Sequence, residues 1–349
     1  MGRNIVPREN KDADLGTALK NWNRLYVDAI TLKGSDLKST VDGKVNSNIL
    51  TNRGDIFAAT GPGAVTRLPS GADGYVLTSN SLEPEGLEWT PKAAGQPLTE
   101  NITVTVGSGG DFSTINQALD SVTSLYMPKY ISGYGVHKVT IVLLSNFVMN
   151  EQVFVDSIDL SWITIIGEGV ETNINASAIT RYSSTVDGNP VFLANNGGFL
   201  PIIGQLFNFG TTGGGGKHGI VAYNNSRAII LPNCGLKGAI QNNIYALKSS
   251  IINANGAIAT GSSTTNIIAA DNSTINANGA IATGSAGYGI FAKEGSFINA
   301  QGADTSGASA KGIRVFKGSI INANGSIGTL EPATPNTITS DGIIFKYIE

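Results

Sequence analysis

The sequence predicts an all-β protein built mainly as a right-handed parallel β-helix. Three observations predict it: a motif that returns every 23 residues, strict inside/outside alternation within that motif, and a composition made for short strands and tight turns. The motif reads Ser-Ile-Ile-Asn-Ala-Asn-Gly-Ala-Ile at 250–258 and Ser-Thr-Ile-Asn-Ala-Asn-Gly-Ala-Ile at 273–281. It returns as Ser-Phe-Ile-Asn-Ala-Gln-Gly at 296–302 and Ser-Ile-Ile-Asn-Ala-Asn-Gly at 319–325. A fixed period of this length marks a repeat architecture, in which each unit buries its apolar side only against its neighbours. Of the 349 residues, 44 are glycine and only 14% are charged, below the roughly 25% of ordinary globular domains.

The period fits one coil of three short strands and three turns. Because strand side chains alternate, Ser250, Ile252 and Ala254 share one face, and their equivalents are Ser, Ile and Ala in all four copies. That face is predicted inside. Asn253, Asn276, Asn299 and Asn322 then point outward, where stacked amides can form a ladder. The glycine column Gly256, Gly279, Gly302 and Gly325 is predicted to turn with positive φ. A second strand keeps the register through Ile244, Ile267, Ile290 and Ile313, with looser copies at Ile220–Val221 and Ile229–Leu231. Gly342-Ile343-Ile344-Phe345 reads as a last strand, reached after an insertion carrying Pro332 and Pro335. One outward column, Ile251, Thr274, Phe297 and Ile320, is mostly apolar, which points to contact with another chain or a covering loop.

Upstream, Ile102–Val106 alternates as a strand and is broken by Gly107-Ser108-Gly109-Gly110. Thr114 and Gln117 form a capping box before Ile115, Ala118, Leu119 and Val122 at helical spacing, so one short helix caps the open end of the β-helix. Val139–Leu144 and Trp162–Ile166 read as buried strands of less regular coils. The chain divides into residues 1–50, residues 51–96 as a short β-rich module, and residues 97–349 as the β-helix, with regular coils from about 226. The β-helix part should hold roughly eight to eleven coils.

The remaining composition narrows function. A formal charge of −3 and a pI near 5.5 give no basic footprint for nucleic acid. No run of 18 apolar residues is present, so no membrane insertion is expected, and Met1-Gly2-Arg3-Asn4 lacks a signal-peptide core. Cys234 is the only cysteine, and His137 and His218 are the only histidines; no metal or other cofactor is expected. Gly213–His218 lacks the frame of a phosphate loop.

Chemistry has few candidates. Lys248, Asp271, Glu294 and Lys317 occupy one position on successive coils, which stacks Asp271 and Glu294 about 5 Å apart. That pair reads either as a catalytic dyad or as a solvated charge ladder. Asp156, Asp159, Glu168, Glu171, Arg181 and Asp187 form a looser charged region. Tyr223, Tyr245 and Tyr288, with Phe291 and Phe316, cluster around the second-strand columns and are the candidates for stacking on sugar, if they face out rather than pack subunits together.

Three segments carry a family resemblance. Leu15-Gly16-Thr17 … Trp22 … Leu25-Tyr26 is similar to a motif of fibre proteins. Arg53-Gly54-Asp55-Ile56 … Arg67-Leu68-Pro69 … Gly71-Ala72-Asp73-Gly74-Tyr75-Val76-Leu77 … Gly86-Leu87-Glu88-Trp89 resembles a short β-module of phage fibres. Val106-Gly107-Ser108-Gly109-Gly110-Asp111-Phe112-Ser113-Thr114-Ile115 resembles the entry of the pectate-lyase-like fold and of pectin methylesterases, and speaks to fold alone. Together the chain resembles a bacteriophage tail fibre or tailspike. The resemblance implies a homotrimer in the phage particle, exposed to the extracellular medium. It implies attachment to tail or baseplate proteins by the N-terminal region, with Leu15, Trp22, Leu25 and Tyr26 as the attachment motif, and a β-helix directed at bacterial surface polysaccharide. An adhesive fibre without a catalytic step, a polysaccharide depolymerase and a structural connector are the three readings. Placing Ile275 inside has a direct test: Ile275→Asp should abolish folding, because an unpaired buried charge is intolerable. A soluble, folded variant, judged by circular dichroism, would refute the inside/outside assignment.

Overall fold

The computed structural model describes residues 31–32, 35–36 and 50–347, except 74, 92–94, 129–136, 180–187, 211–217 and 337–338. Leu15, Trp22, Leu25, Tyr26, Arg181, Asp187 and Gly213–Lys217 lie outside the described residues. The chain divides into two units, Met1–Lys92 and Ala93–Glu349.

In the first unit, Thr31–Leu32 pairs with Ser35–Asp36, and two antiparallel hairpins follow. Ile56–Gly61 pairs with Ala64–Leu68, and Tyr75–Ser79 with Leu87–Pro91. The module has little apolar interior, and polar anchors take its place. The Asp55 carboxylate accepts from Arg67 Nε at 2.7 Å, from Asn52 N at 2.7 Å and from Thr51 N at 2.9 Å. The Arg67 bond, with those backbone bonds, lowers its pKa to about 2. Asp55 is therefore consumed by its own hairpin, which gives the Arg53-Gly54-Asp55 tripeptide a structural role. Trp89 Nε1 donates to Pro69 O at 2.7 Å, and its ring lies against Gly71, where a Cβ would come within 2.8 Å of it.

The second unit is an all-β parallel solenoid of about eight turns, about 24 residues per turn, with one α-helix. Its strands form three sides. The first side starts with Ile102–Val106, Val139–Leu143, Ile163–Gly167 and Ile202–Gly204. A bridge from Ile203 to Ile230 carries it on through Arg227–Ile229, Ile251–Asn253, Thr274–Asn276, Phe297–Asn299, Ser319–Asn322 and Gly342–Phe345. The second side is five strands deep, ending at Ile258–Thr260, and continues by single bridges through Ile281, Asp304 and Ile327. The third is eight strands deep, from Val153–Asp156 to Leu330–Glu331.

The inside/outside assignment holds. Ser250, Ile252 and Ala254 and their equivalents on the next three coils are buried. The 23-residue register also holds: Ile251 pairs with Thr274, Thr274 with Phe297 and Phe297 with Ile320. The turn glycines Gly256, Gly279, Gly302 and Gly325 all have φ between +62 and +66°. Burying one isoleucine per coil contributes about 1.5–3 kcal/mol. The serine column does more than fill space. The backbone N–H of Ser250 donates to the Ser273 hydroxyl at 3.1 Å, Ser273 to Ser296 and Ser296 to Ser319 likewise, so each buried turn is tied to the next. Outside, the amide ladder runs Asn276–Asn299–Asn322 at 3.2 and 3.0 Å, while Asn253 accepts from the N–H of its own turn residue Asn255.

The last coil corrects one expectation. Ser319 pairs with Gly342, again 23 positions on, so the segment carrying Pro332 and Pro335 is no insertion. The coil cuts the corner early, pairing Ile313 with Leu330, and spends the residues saved on a loop. That loop returns to the free edge of the final strand, where Asn336 N donates to Ile344 O at 2.8 Å and Thr339 N to Gly342 O at 3.0 Å. At the other end, helix Ile115–Leu125 buries Ile115, Ala118, Leu119 and Val122, with Thr114 as N-cap. Gln117 reaches back to Ser113 N rather than to Thr114. The half-buried Glu151 carboxylate accepts from the Ile115 and Asn116 N–H groups, fastening the helix N-terminus to the coils. Ser273→Ala would leave the buried Ser250 N–H unpaired at a cost of about 1–3 kcal/mol, seen as an earlier urea midpoint. An unchanged midpoint would show that the serine ladder carries no stability.

Candidate functional site

The third side concentrates the chemically interesting side chains. Its inward column, Ile220, Ile244, Ile267, Ile290 and Ile313, is fully buried. Alternation puts the residues between them on the outer surface of the sheet. That outer column runs Phe154, Leu193, Val221, Tyr245, Ile268, Phe291, Arg314 and Glu331, each paired with the next. Leu193, Val221 and Tyr223 form an apolar cluster separate from the main core, with Phe154, Tyr245 and Leu247 packed on it.

The three tyrosines share this outer surface and differ in environment. Tyr223 is buried, and its hydroxyl accepts from Lys248 Nζ at 2.6 Å while the ammonium sits 4.8 Å from the ring centroid. That hydrogen bond raises the Lys248 pKa. Tyr245 stacks at 5.5 Å on His218, itself bonded to Asn242. Its pKa is pushed up to about 12 by burial, reinforced by the charges of Asp271 and Glu294. Tyr288 is half-buried beside Phe291, ring centroids 5.1 Å apart. Arg314 lies over this pair at 4.9 and 5.2 Å and over Phe316 at 5.5 Å, donates to the Tyr288 hydroxyl, and faces Glu331 at 3.7 Å. The Tyr288–Phe291–Arg314–Phe316 group is thus a partly open aromatic surface with a cation held in it. Arg314 was absent from the sequence reading; its place 23 residues after Phe291 was the available signal.

The charge column sits at the corner after this side. Lys248, Asp271, Glu294 and Lys317 have φ between +50 and +58°, a left-handed conformation that favours glycine or asparagine. Glu294 accepts from Lys317 Nζ at 3.0 Å and lies 3.6 Å from Lys293 Nζ. Asp271 and Glu294 each stand two residues after the paired Ala269 and Ala292 on successive coils, and their titrations move apart. Burial, then the Glu294 hydrogen bond and charge, raises Asp271; the Lys317 hydrogen bond, then Asp271, lowers Glu294.

Among the described residues the looser charged region does not converge. Asp156 accepts from Asn196, the Asp159 Oδ1 from Ser161 N, Glu168 from Ser145 N, and Glu171 from Lys237 and Asn208, each in its own local network. A cleft of about 320 Å³ beside Asp159 is lined by Pro128, Lys138, Ser161 and Trp162. Cys234 is half-buried with its thiol pKa raised by burial. Among the described residues no group of three or more His, Cys, Asp and Glu is placed to hold a metal ion, and no helix is long and apolar enough to cross a membrane. No family model and no curated protein matches the chain.

The coupled pair gives a signed prediction. A carboxyl whose folded pKa is raised stabilises the fold at low pH, and the effect is lost as pH rises through that pKa. Asp271→Asn keeps the group neutral and places a residue suited to positive φ. Its thermal midpoint should exceed that of the parent at pH 7, with the charge-dependent part of the gap vanishing in acid. A lower midpoint at pH 7 would contradict the assignment.

Proposed function

We propose that this chain is a virion protein of the bacteriophage tail fibre or tailspike type. It forms a homotrimer, docks to tail or baseplate proteins through its N-terminal region, and adheres to a bacterial surface glycan without cleaving it. The observation that carries the adhesive part is the outer surface of the eight-stranded side. There Tyr288, Phe291 and Phe316 present ring surface around Arg314 on coils one strand spacing apart. Sugars bind by laying C–H faces on such rings while their hydroxyls meet charged donors and acceptors. Arg314, Lys293 and Glu331 supply those groups at the same place.

Support for attachment to a particle comes from the N-terminal motif and the hairpin module with its Asp55 and Trp89 anchors. A depolymerase is the second reading, favoured by the separated titrations of Asp271 and Glu294, since acid and base roles are set by such separation. The lysines neutralising Glu294 weigh against it. A connector docking through its last coil has support in exposed Phe345 and Tyr347, against which stands the loop already bonded along that edge.

One experiment separates the three. Purified protein is mixed with capsule and lipopolysaccharide of the host strain, and glycan size and retention are followed. Retained, intact glycan is expected, with retention reduced at least tenfold by Arg314→Ala. Glycan shortened by the parent protein and left intact by Asp271→Asn or Glu294→Gln would establish the depolymerase. Glycan neither shortened nor retained would move the search to a partner on the particle.

A further inference from the structure

The first side of the solenoid carries an outward surface unlike the other two. From Ile251 to Phe345 its strands present Ile251 and Asn253, Thr274 and Asn276, Phe297 and Asn299, Ile320 and Asn322, then Ile343 and Phe345. No ionisable side chain occurs among these outward positions over five consecutive strands. Ile251, Phe297 and Ile320 in one column are 46, 40 and 38% exposed and Phe345, in the asparagine column, is 45% exposed, so every level but that of Thr274 leaves a large apolar group in water. The asparagines beside them are already linked to one another along the ladder. The third side, by contrast, is crowded with Lys293, Lys311, Arg314 and Glu331.

Absence of charge excludes a basic or acidic partner and matches the charge-depleted centre of interfaces between identical chains. The shape of the patch narrows the occupant further. It is one apolar side chain wide and runs along the solenoid axis, presenting on the order of 300 Å². A stable contact needs about 800 Å² from each partner, so a stripe of this size is the centre of an interface that flanking surfaces must complete. A narrow column parallel to the axis does suit a threefold axis, where three copies each contribute one side chain per level and flanking surfaces complete the contact. Identical spacing in every copy, one residue per strand spacing, brings all levels into register together.

We infer that this stripe lines the axis of the homotrimer, with Ile251, Phe297, Ile320 and Ile343 forming stacked layers of three. The inference rests on the trimeric part of the reading above and names the surface that part leaves open.

Single cysteines at Ile320 or Phe297, in a Cys234→Ala background, test it in the full chain. Ser263, exposed on a different part of the coil, serves as control position. Mass is measured first, by light scattering, and a short bis-maleimide is then added. The expected result is a mass of three chains, covalent dimers from Ile320→Cys and Phe297→Cys, and at least tenfold less from Ser263→Cys. Phe297→Lys with Ile320→Lys should keep the circular dichroism of the parent and lose at least tenfold in trimer stability to dilution. A trimer that shows no preference for positions 297 and 320 would overturn the axis and leave the trimer standing. A parent protein with the mass of one chain would overturn both.

Discussion

Every turn of this solenoid can bury its side chains only against the turns above and below, so in-register stacking at one strand spacing is the constraint on which the rest depends. A shift of one residue would move Ile252, Ile275, Ile298 and Ile321 from the interior to the surface. The register is therefore held several times over. Isoleucine stacks on isoleucine, buried serines hand hydrogen bonds from coil to coil, and glycines with positive φ place each corner above the last. Buried Asn243 and Asn266 add a further internal tie, bonded to each other at 3.0 Å and to neighbouring turn carbonyls. The ends, which lack a neighbour, are closed by a helix fastened through Glu151 and by a loop fastened through Asn336.

Strict stacking has a consequence for function. Any residue placed on the outside is repeated in line with its equivalents, so each side becomes a set of parallel columns with one chemical character. From Ile251 on, the outward positions of the first side carry no charge, the third side is aromatic and charged, and the corner between them carries the lysine and carboxylate column. Along that column Lys248 donates to Tyr223 and Lys317 to Glu294, each tying one coil to its neighbour.

The regular coils were legible from the sequence because one interaction, repeated at a fixed offset, dictates both identity and position. Ser250, Ile252 and Ala254 could be placed inside from alternation alone, and Thr114 marked the capping helix by its spacing. The early coils were less legible, since Ile102 pairs with Val139 and Thr164 with Ile202, 37 and 38 positions on, and no period links them. The final coil hid its regularity, because the shortcut at Leu330 and the loop beyond it cancel in length. In the candidate site the tyrosine columns were visible, yet Arg314 was not. Cation contact depends on where a long side chain lies across neighbouring coils, which a one-dimensional pattern does not record.

Hydroxyl-radical footprinting of the protein with and without bacterial surface glycan tests the central claim most directly, because it reports side chains on each side of the same coils at once. If the aromatic surface of the third side is the contact, Tyr288, Phe291 and Phe316 lose reactivity on binding, while exposed Val170 and Leu82 keep theirs. Retained glycan with Tyr288, Phe291 and Phe316 as reactive as before would contradict it and place adhesion elsewhere on the chain.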